Sequence, residues 1–419
     1  MKITHFARPL LLIATLVWLT SASASGQVEK VLYTFQGGID GAFPYYGGVT
    51  FDALGNLYGT TAGGGEWGWG TVFELSPDGA GGWTESVIHT FGSGNDGLQP
   101  LSGLILDAGG NLYGTTAGGG ASGSGAVFEL SPVAGGGWAE SVLYSFKGGE
   151  DGIQPIGGLV FDPAGNLYGA TTEGGAYYQN SWGGTVFELA KNARGLWSKR
   201  TLHSFGSGID GIFPWGNLIF DAAGNLYGAT ELGGPQGMGT VFELSTVTGG
   251  GWAEHQLYTF RATNDGAEPT EGLTLDAAGN LYGTTVLGGS KGWGTVFRLS
   301  PAVGGKWREQ ILHDFASESG GINPSGNLLL DSAGNLYGGT FSGGNGEGCI
   351  HEGCGVVYEL SPLVSGNWKE TILIDSSVNL DGGVPWCGLT FDASENLYGL
   401  THGGSGTSAY YGTVFEITR

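Results

Sequence analysis

Apolar residues come in short runs along this chain, each broken by a turn rich in Gly, Asp, Asn or Ser. Between residues 103 and 146 four such runs follow one another. Gly103–Asp107 is continuously apolar at its centre, as suits a strand buried on both faces. Asn111–Thr116 follows through a tight Asp-x-x-Gly turn, where Asp can accept backbone N–H bonds and Gly can take positive φ. Ala126–Ser131 alternates, with Phe128 and Leu130 on one side and Val127 and Glu129 on the other. Trp138–Phe146 is reached through a Gly-rich hairpin. None of the runs has the length or period of a helix, so the unit reads as four strands.

The unit recurs. The word GNLYG stands at Gly55–Gly59, Gly110–Gly114, Gly165–Gly169, Gly224–Gly228, Gly279–Gly283 and Gly334–Gly338. A seventh copy, Glu395–Gly399, has lost only its first glycine. An Asp precedes each copy by three residues, at Asp52, Asp107, Asp162, Asp221, Asp276, Asp331 and Asp392. A carboxylate at every copy is turn capping rather than a catalytic ring. Four-stranded antiparallel sheets repeated at this period predict an all-β fold, a seven-bladed β-propeller.

The fourth-strand pattern appears at Trp83–Phe91, Trp138–Phe146, Trp197–Phe205, Trp252–Phe260, Trp307–Phe315 and, degraded, Trp368–Ser376. The missing copy lies at the other end of the chain, at Val28–Phe35, and the last unit stops after its third strand, Thr413–Ile417. The N-terminal strand is therefore expected to complete the last blade and close the ring, removing open sheet edges.

Spacing between GNLYG copies is 55, 55, 59, 55, 55 and 61 residues. The variation falls between the second and third strands: 11 residues in four blades, 15 in blade 3, 17 in blade 6 and 13 in blade 7. In an up-and-down blade this loop shares a face with the link to the next blade. Insertions confined to one face of a repeat protein mark a binding face.

Composition narrows the partners. Of 419 residues 87 are Gly, without the Gly-X-Y period of collagen, and 12% are aromatic, enough for packed cores. The net charge of −23 repels phosphate backbones and anionic lipid, which excludes nucleic acid and anionic membranes as natural partners. Lys2 and Arg8 precede an apolar run from Leu10 to Leu19, and Ala22-Ser23-Ala24 offers a cleavage site. The expected organisation is a signal peptide over residues 1–24 and one propeller domain over 25–419. The mature protein is then secreted or periplasmic, without a transmembrane segment, and a monomer.

Several constellations invite chemical readings. An Asp-Gly precedes most blades (Asp40, Asp96, Asp151, Asp210, Asp265, Asp381), and Asp with nearby carbonyls could hold Ca²⁺, though turn chemistry accounts for it too. Glu74, Glu129, Glu188, Glu243, Glu359 and Glu416 share one third-strand position and read as a solvated face. His89, His203 and His313 alternate with Tyr33, Tyr144 and Tyr258 at a fourth-strand position and read as packing residues. Cys349 and Cys354 lie inside the longest insertion and predict a small disulfide; Cys387 is the odd one out and a competing partner. Cys349, Cys354, His351 and His402 are zinc-ligand types, but their spacing matches no recognised zinc motif.

Residues outside the repeat pattern gather on the inferred binding face. Trp67, Trp69, Tyr177, Tyr178, Trp182, Trp293, His351, His402, Tyr410 and Tyr411 sit in or beside the variable loops. Trp215 and Trp386, with Tyr45 and Tyr46, follow the inter-blade turns and line the expected channel mouth. Aromatics among amides and carboxylates suit sugar stacking or a protein hot spot.

The D-x-x-GNLYG core, the GTVFEL strand and the W-x-E-x-x-L-Y-x-F strand resemble the GloVer (Gloeo-Verruco) tandem repeat, and the resemblance spans essentially the whole mature chain. It implies a propeller and an exported bacterial protein, but no catalytic residues. Family members carry varied C-terminal anchors, and this chain shows none, which implies a released protein. The D-x-x-GNLY turn is also similar to that of NHL-type propellers. No HExxH or phosphate loop occurs. The expected function is an exported, non-enzymatic propeller that recognises a glycan or an extracellular protein. The alternatives are a polysaccharide lyase or hydrolase on the same face, and a passive surface or matrix component.

Overall fold

The computed structural model describes residues 28–179, 182–262, 264–346, 353–376, 383–386, 388–403 and 411–419. Seven four-stranded antiparallel sheets form the blades. Blade 2 is representative: Ile105–Leu106, Leu112–Thr116, Ala126–Pro132 and Trp138–Ser145, in that order from the axis outward. Among the described residues no α-helix occurs; Gly149–Asp151 and Glu318–Gly320 are single 3₁₀ turns. No described helix is long and apolar enough to cross a membrane.

The ring closes as the strand count predicts. Val28–Thr34 pairs antiparallel with Thr413–Thr418, running from Val28 against Thr418 to Thr34 against Thr413. Blade 7 is thus built from both ends of the chain. Phe35 is fully buried and meets Phe73 of blade 1 edge-on at 5.1 Å, so the closing blade is packed to its neighbour.

Each part of the repeated word has a physical task. Asp52 accepts from the backbone N–H of Leu54 (2.8 Å) and Asn56 (2.9 Å), from the Asn56 amide (2.8 Å) and from the Tyr58 hydroxyl (3.1 Å). Burial alone would raise the Asp52 carboxyl, but these donors hold it below its ordinary value. The Tyr58 ring is buried between blades. The last glycine faces the third strand across the sheet: Gly59 pairs with Phe73, and a Cβ there would lie 2.5 Å from the Phe73 ring. GNLYG and GTVFEL therefore constrain each other.

The third-strand glutamates differ from the solvated face expected of them. Glu129 and Glu188 are half-buried and accept from the Tyr113 and Tyr168 hydroxyls at 2.9 and 3.0 Å. The inner strands are also shorter than the apolar runs suggested, two residues in most blades. Near the axis, backbones of successive blades meet directly. A Cβ on Gly216 would stand 2.3 Å from the Glu271 carbonyl carbon, and one on Gly47 would lie 2.5 Å from the Gly103 nitrogen. The glycines keep the channel wall thin.

Hydrophobic burial is divided into seven clusters, each spanning a blade junction rather than a blade interior. Phe146 of blade 2 on Phe187 of blade 3, at 5.1 Å, is the repeated contact. A buried Phe contributes about 1.5–3 kcal/mol by area alone, so each junction holds through a few rings.

Candidate ligand site at the channel mouth

The seven blades share a backbone device with no counterpart among the motifs read from sequence. Phe43, Gln99, Gln154, Phe213, Glu268, Asn323 and Val384 all have left-handed φ, between 43 and 58°. Each precedes a proline: Pro44, Pro100, Pro155, Pro214, Pro269, Pro324 and Pro385. Non-glycine residues pay strain in this region, and seven in register require a common cause. Each N–H donates to the variable loop of the preceding blade, as Gln99 does to the Trp69 carbonyl (2.8 Å) and Val384 to Cys354 (2.7 Å). Where its carbonyl is paired, it accepts from the residue just after the second strand, as Gln99 does from Ala117 at 3.0 Å. The strained residue stitches one blade's loop to the next blade, and its own side chain is left free to vary.

The residues after these prolines, and those after the second strands, vary as well. They include Tyr45, Trp215 and Trp386 in the first group, and Glu231 and His402 in the second, with Phe341 at the matching place inside the longer second strand of blade 6. Together they form the channel mouth. Tyr45 and Tyr46, the latter an extra residue in blade 1, meet edge-on at 4.3 Å. Trp386 lies 4.8 Å from Tyr45, 5.2 Å from Tyr46 and 4.5 Å from Phe341, ring to ring. Tyr46 reaches across to Trp215 at 5.7 Å, and His402 sits 5.1 Å from Tyr45.

Two cavities flank this cluster. One, of about 520 Å³, is lined by Tyr45, Tyr46, Trp69, Gln99, Trp215 and His402 among others. The second, of about 440 Å³, is bounded by Tyr46, Trp215, Phe341 and Trp386 and by Glu231, Glu268 and Asn323. These sizes fall within the usual range for small-molecule sites. A narrow recess of about 20 Å³ below them reaches Glu271, Asn217 and Asn327.

The electrostatics of the mouth are one-sided. Burial raises Glu231, helped by the neighbouring charge of Glu268, and burial raises Glu268 in turn. The Trp215 indole N–H is buried beside Glu231 and favours its ionised form without reaching ordinary hydrogen-bond geometry. Glu271 is pushed up to about 7 by burial, partly offset by the Gly326 N–H. Burial lowers His402, so it adds no positive charge near neutrality. Among the described residues, no Lys or Arg lines either large cavity.

The structure sorts the residues named from sequence. Trp69, Trp215, Trp386 and His402 converge on the mouth. Trp67, Tyr177, Tyr178 and Trp182 remain exposed on peripheral loops, with Trp182 6.1 Å from Phe213. Trp293 packs into the core between blades 5 and 6, and Tyr411 lies against Phe43 at 5.7 Å. His351, Tyr410, Cys349, Cys387 and Asp381 lie outside the described residues. Cys354 is disulfide-bonded and fully buried.

The Asp-Gly carboxylates are engaged within the protein. Asp40 accepts from the Gln36 and Gly38 N–H groups and the Tyr33 hydroxyl. Asp151 accepts from Tyr144, Lys147 N–H and Lys199, and Asp265 from Tyr258 and Arg261. Asp210 bonds the Gly211 N–H and faces His203 at 3.1 Å. Asp96 faces His89 at 3.3 Å, and Glu140 joins them, the three ligand atoms lying within 4.8 Å of one another.

Sequence reasoning found the aromatics of the mouth but not Gln99, Glu231, Glu268, Asn323 or Phe341. The available signal was the proline fixed in every unit, with five residue types before it over the seven copies.

The sequence profile of the Gloeobacter/Verrucomicrobia repeat matches residues 15–219, 137–320 and 217–419. No curated protein matches the chain. Among solved structures, a protein provisionally assigned as a 6-phosphogluconolactonase from Bacteroides uniformis is similar over 78% of this chain and 84% of its own. Its identity is 17% and its TM-score 0.49. A protein provisionally assigned as an oxidoreductase (glucose dehydrogenase) from Thermus thermophilus is similar over 94% of this chain and 100% of its own, at 16% identity and a TM-score of 0.45. Likeness at this level carries no argument about activity.

Proposed function

The chain belongs to the Gloeobacter/Verrucomicrobia repeat family, and from that premise we propose that it is an exported binding propeller whose ligand, a glycan, docks at the channel mouth. The observation that carries this reading is the concave group formed by Tyr45, Tyr46, Trp215 and Trp386, flanked by amides and carboxylates. Sugar rings present apolar C–H faces and polar edges, so flat aromatic walls with a few hydrogen-bonding groups suit them. A protein partner would be better served by a broad flat patch with a central anchor. The segment before residue 25 fits an export signal by composition.

A second reading, polysaccharide cleavage, draws on Glu231 and Glu268, two raised carboxyls bordering one cavity. Binding and cleavage separate in one experiment. The purified chain is titrated with a panel of oligosaccharides by calorimetry, and the mixtures are assayed for new reducing ends. Binding that Trp386→Ala abolishes, with no new ends, supports the binding propeller. New ends that depend on Glu231 favour the enzyme. Silence across the panel would sink both and leave a structural role for the ring.

A further inference from the structure

We propose that the second cavity is a cation site, and that the glycan recognised at the mouth carries a free ammonium group, as a deacetylated amino sugar does. This inference rests on the glycan reading above and specifies its chemistry.

Three observations converge on one volume of about 440 Å³. Its walls are π-faces: Tyr46, Trp215, Phe341 and Trp386, with Trp386 4.5 Å from Phe341 and 5.2 Å from Tyr46. A ring of aromatic faces attracts ammonium through the ring quadrupole, and the attraction grows when the ion is desolvated. Its polar groups are acceptors in excess: two carboxyls, Glu231 and Glu268, each held in partial burial. Finally, no cation from the protein answers them. Among the described residues neither Lys nor Arg lines the cavity, and the stretches outside the described residues beyond position 27 contain none in their sequence.

Two outer junctions show what such an answer looks like: Lys199 reaches Asp151 at 3.0 Å, and Arg261 reaches Asp265 at 2.9 Å. Among the described residues that line the mouth cavity, no such cation is supplied. Two carboxyls beside aromatic walls stay raised by burial, and Glu231 by its neighbour as well. An entering ammonium would repay that cost by pairing with both, while its apolar flanks lie on the indoles. A neutral N-acetyl group would leave the carboxyls unanswered. A carboxylated sugar would be repelled.

The test uses the full mature chain at about pH 6, where an aliphatic amine is protonated. Three probes are titrated by calorimetry and by tryptophan fluorescence: a glucosamine tetramer, its fully N-acetylated counterpart, and tetramethylammonium chloride. The free-amine tetramer is expected to bind at least about tenfold more tightly than the acetylated one, the scale of a desolvated cation–π contact. That preference should disappear in the Glu231→Gln, Glu268→Gln double variant, whose melting temperature is checked to confirm folding. Equal binding of the two tetramers would overturn the cation site and leave the glycan reading standing. A preference that survives the double substitution would overturn it as well. Tetramethylammonium binding that needs Glu231, with no tetramer bound, would keep the cation site and remove the glycan. Silence from all three probes would remove both.

Discussion

Lys199 donates to Asp151 at 3.0 Å across the junction between blades 2 and 3, at the strand position where neighbouring blades carry a glutamic acid. Its side chain is only 3% exposed. Burial would raise Asp151, but the Lys147 N–H and the Lys199 ammonium hold it below its ordinary value. Lys199→Glu would place two acids in that space. We expect a loss of about 1–3 kcal/mol, below the full cost of a broken buried pair because Asp151 is partly exposed. Thermal unfolding should show the deficit deepening from pH 5 to pH 8; an unchanged melting curve would mean the pair contributes nothing.

The other junctions predict a pH dependence for the whole ring. Glu85, Glu309 and Glu370 are each pushed from 4.5 up to about 7, first by burial and, for Glu85 and Glu309, then by Asp40 and Asp265. Unfolded, these groups ionise near 4.5; folded, they keep their protons until about 7. The unfolded chain therefore binds fewer protons through this interval, and stability falls as pH rises from about 4.5 to 7, then levels. Glu309→Gln should flatten part of that slope in calorimetric scans. A slope that the substitution leaves intact would assign it to other groups.

The closing strand can be tested at one ring. Phe35 is fully buried among Val49, Leu57, Phe73 and Val414. Phe35→Ala is expected to cost about 3–5 kcal/mol, and removal of residues 28–35 to cost the cooperative transition itself. A truncated chain that melts like the full one would show that the other six blades hold without closure.

Blade 7 carries a correctable strain. Glu395 adopts φ 62° where the other six copies have glycine at 81–87°. Left-handed backbone costs a side-chain-bearing residue about 1–2 kcal/mol, less the entropy that glycine adds to the unfolded chain. Glu395→Gly should stabilise by about 0.5–1 kcal/mol, read as a higher denaturant midpoint with an unchanged slope. A lower midpoint would mean that the Glu395 side chain contributes more than its backbone costs.

The blades were legible because their chemistry is local and repeated: Asp52 caps a tight turn a few residues long, and Gly59 answers Phe73 one strand away. Closure was legible by counting, since Val28–Phe35 was the one fourth strand missing from its place. The mouth was only half legible. Trp215 and Trp386 stand out as aromatics, whereas Glu231 and Glu268 look like ordinary surface acids until the ring brings blades 4 and 5 together. Left-handed φ at Gln99 or Asn323 leaves no mark in the residue itself, only in the proline that follows it. Junction pairs such as Asp40 and Glu85 join an inter-blade turn to a strand of the next blade, a relation that periodicity within one unit does not carry.

Closure also fixes an order of events. Thr418 donates from its hydroxyl to the Val28 carbonyl across 390 residues of sequence. The strand at Val28–Thr34 thus precedes the other described strands of the ring in sequence, and its partner follows all of them. Contacts so distant in sequence are slow to form. The ring closes with a clasp whose two halves lie on either side of every other blade in the sequence. Without it blade 7 lacks its outer strand, and with it both strands of the clasp lie in one sheet.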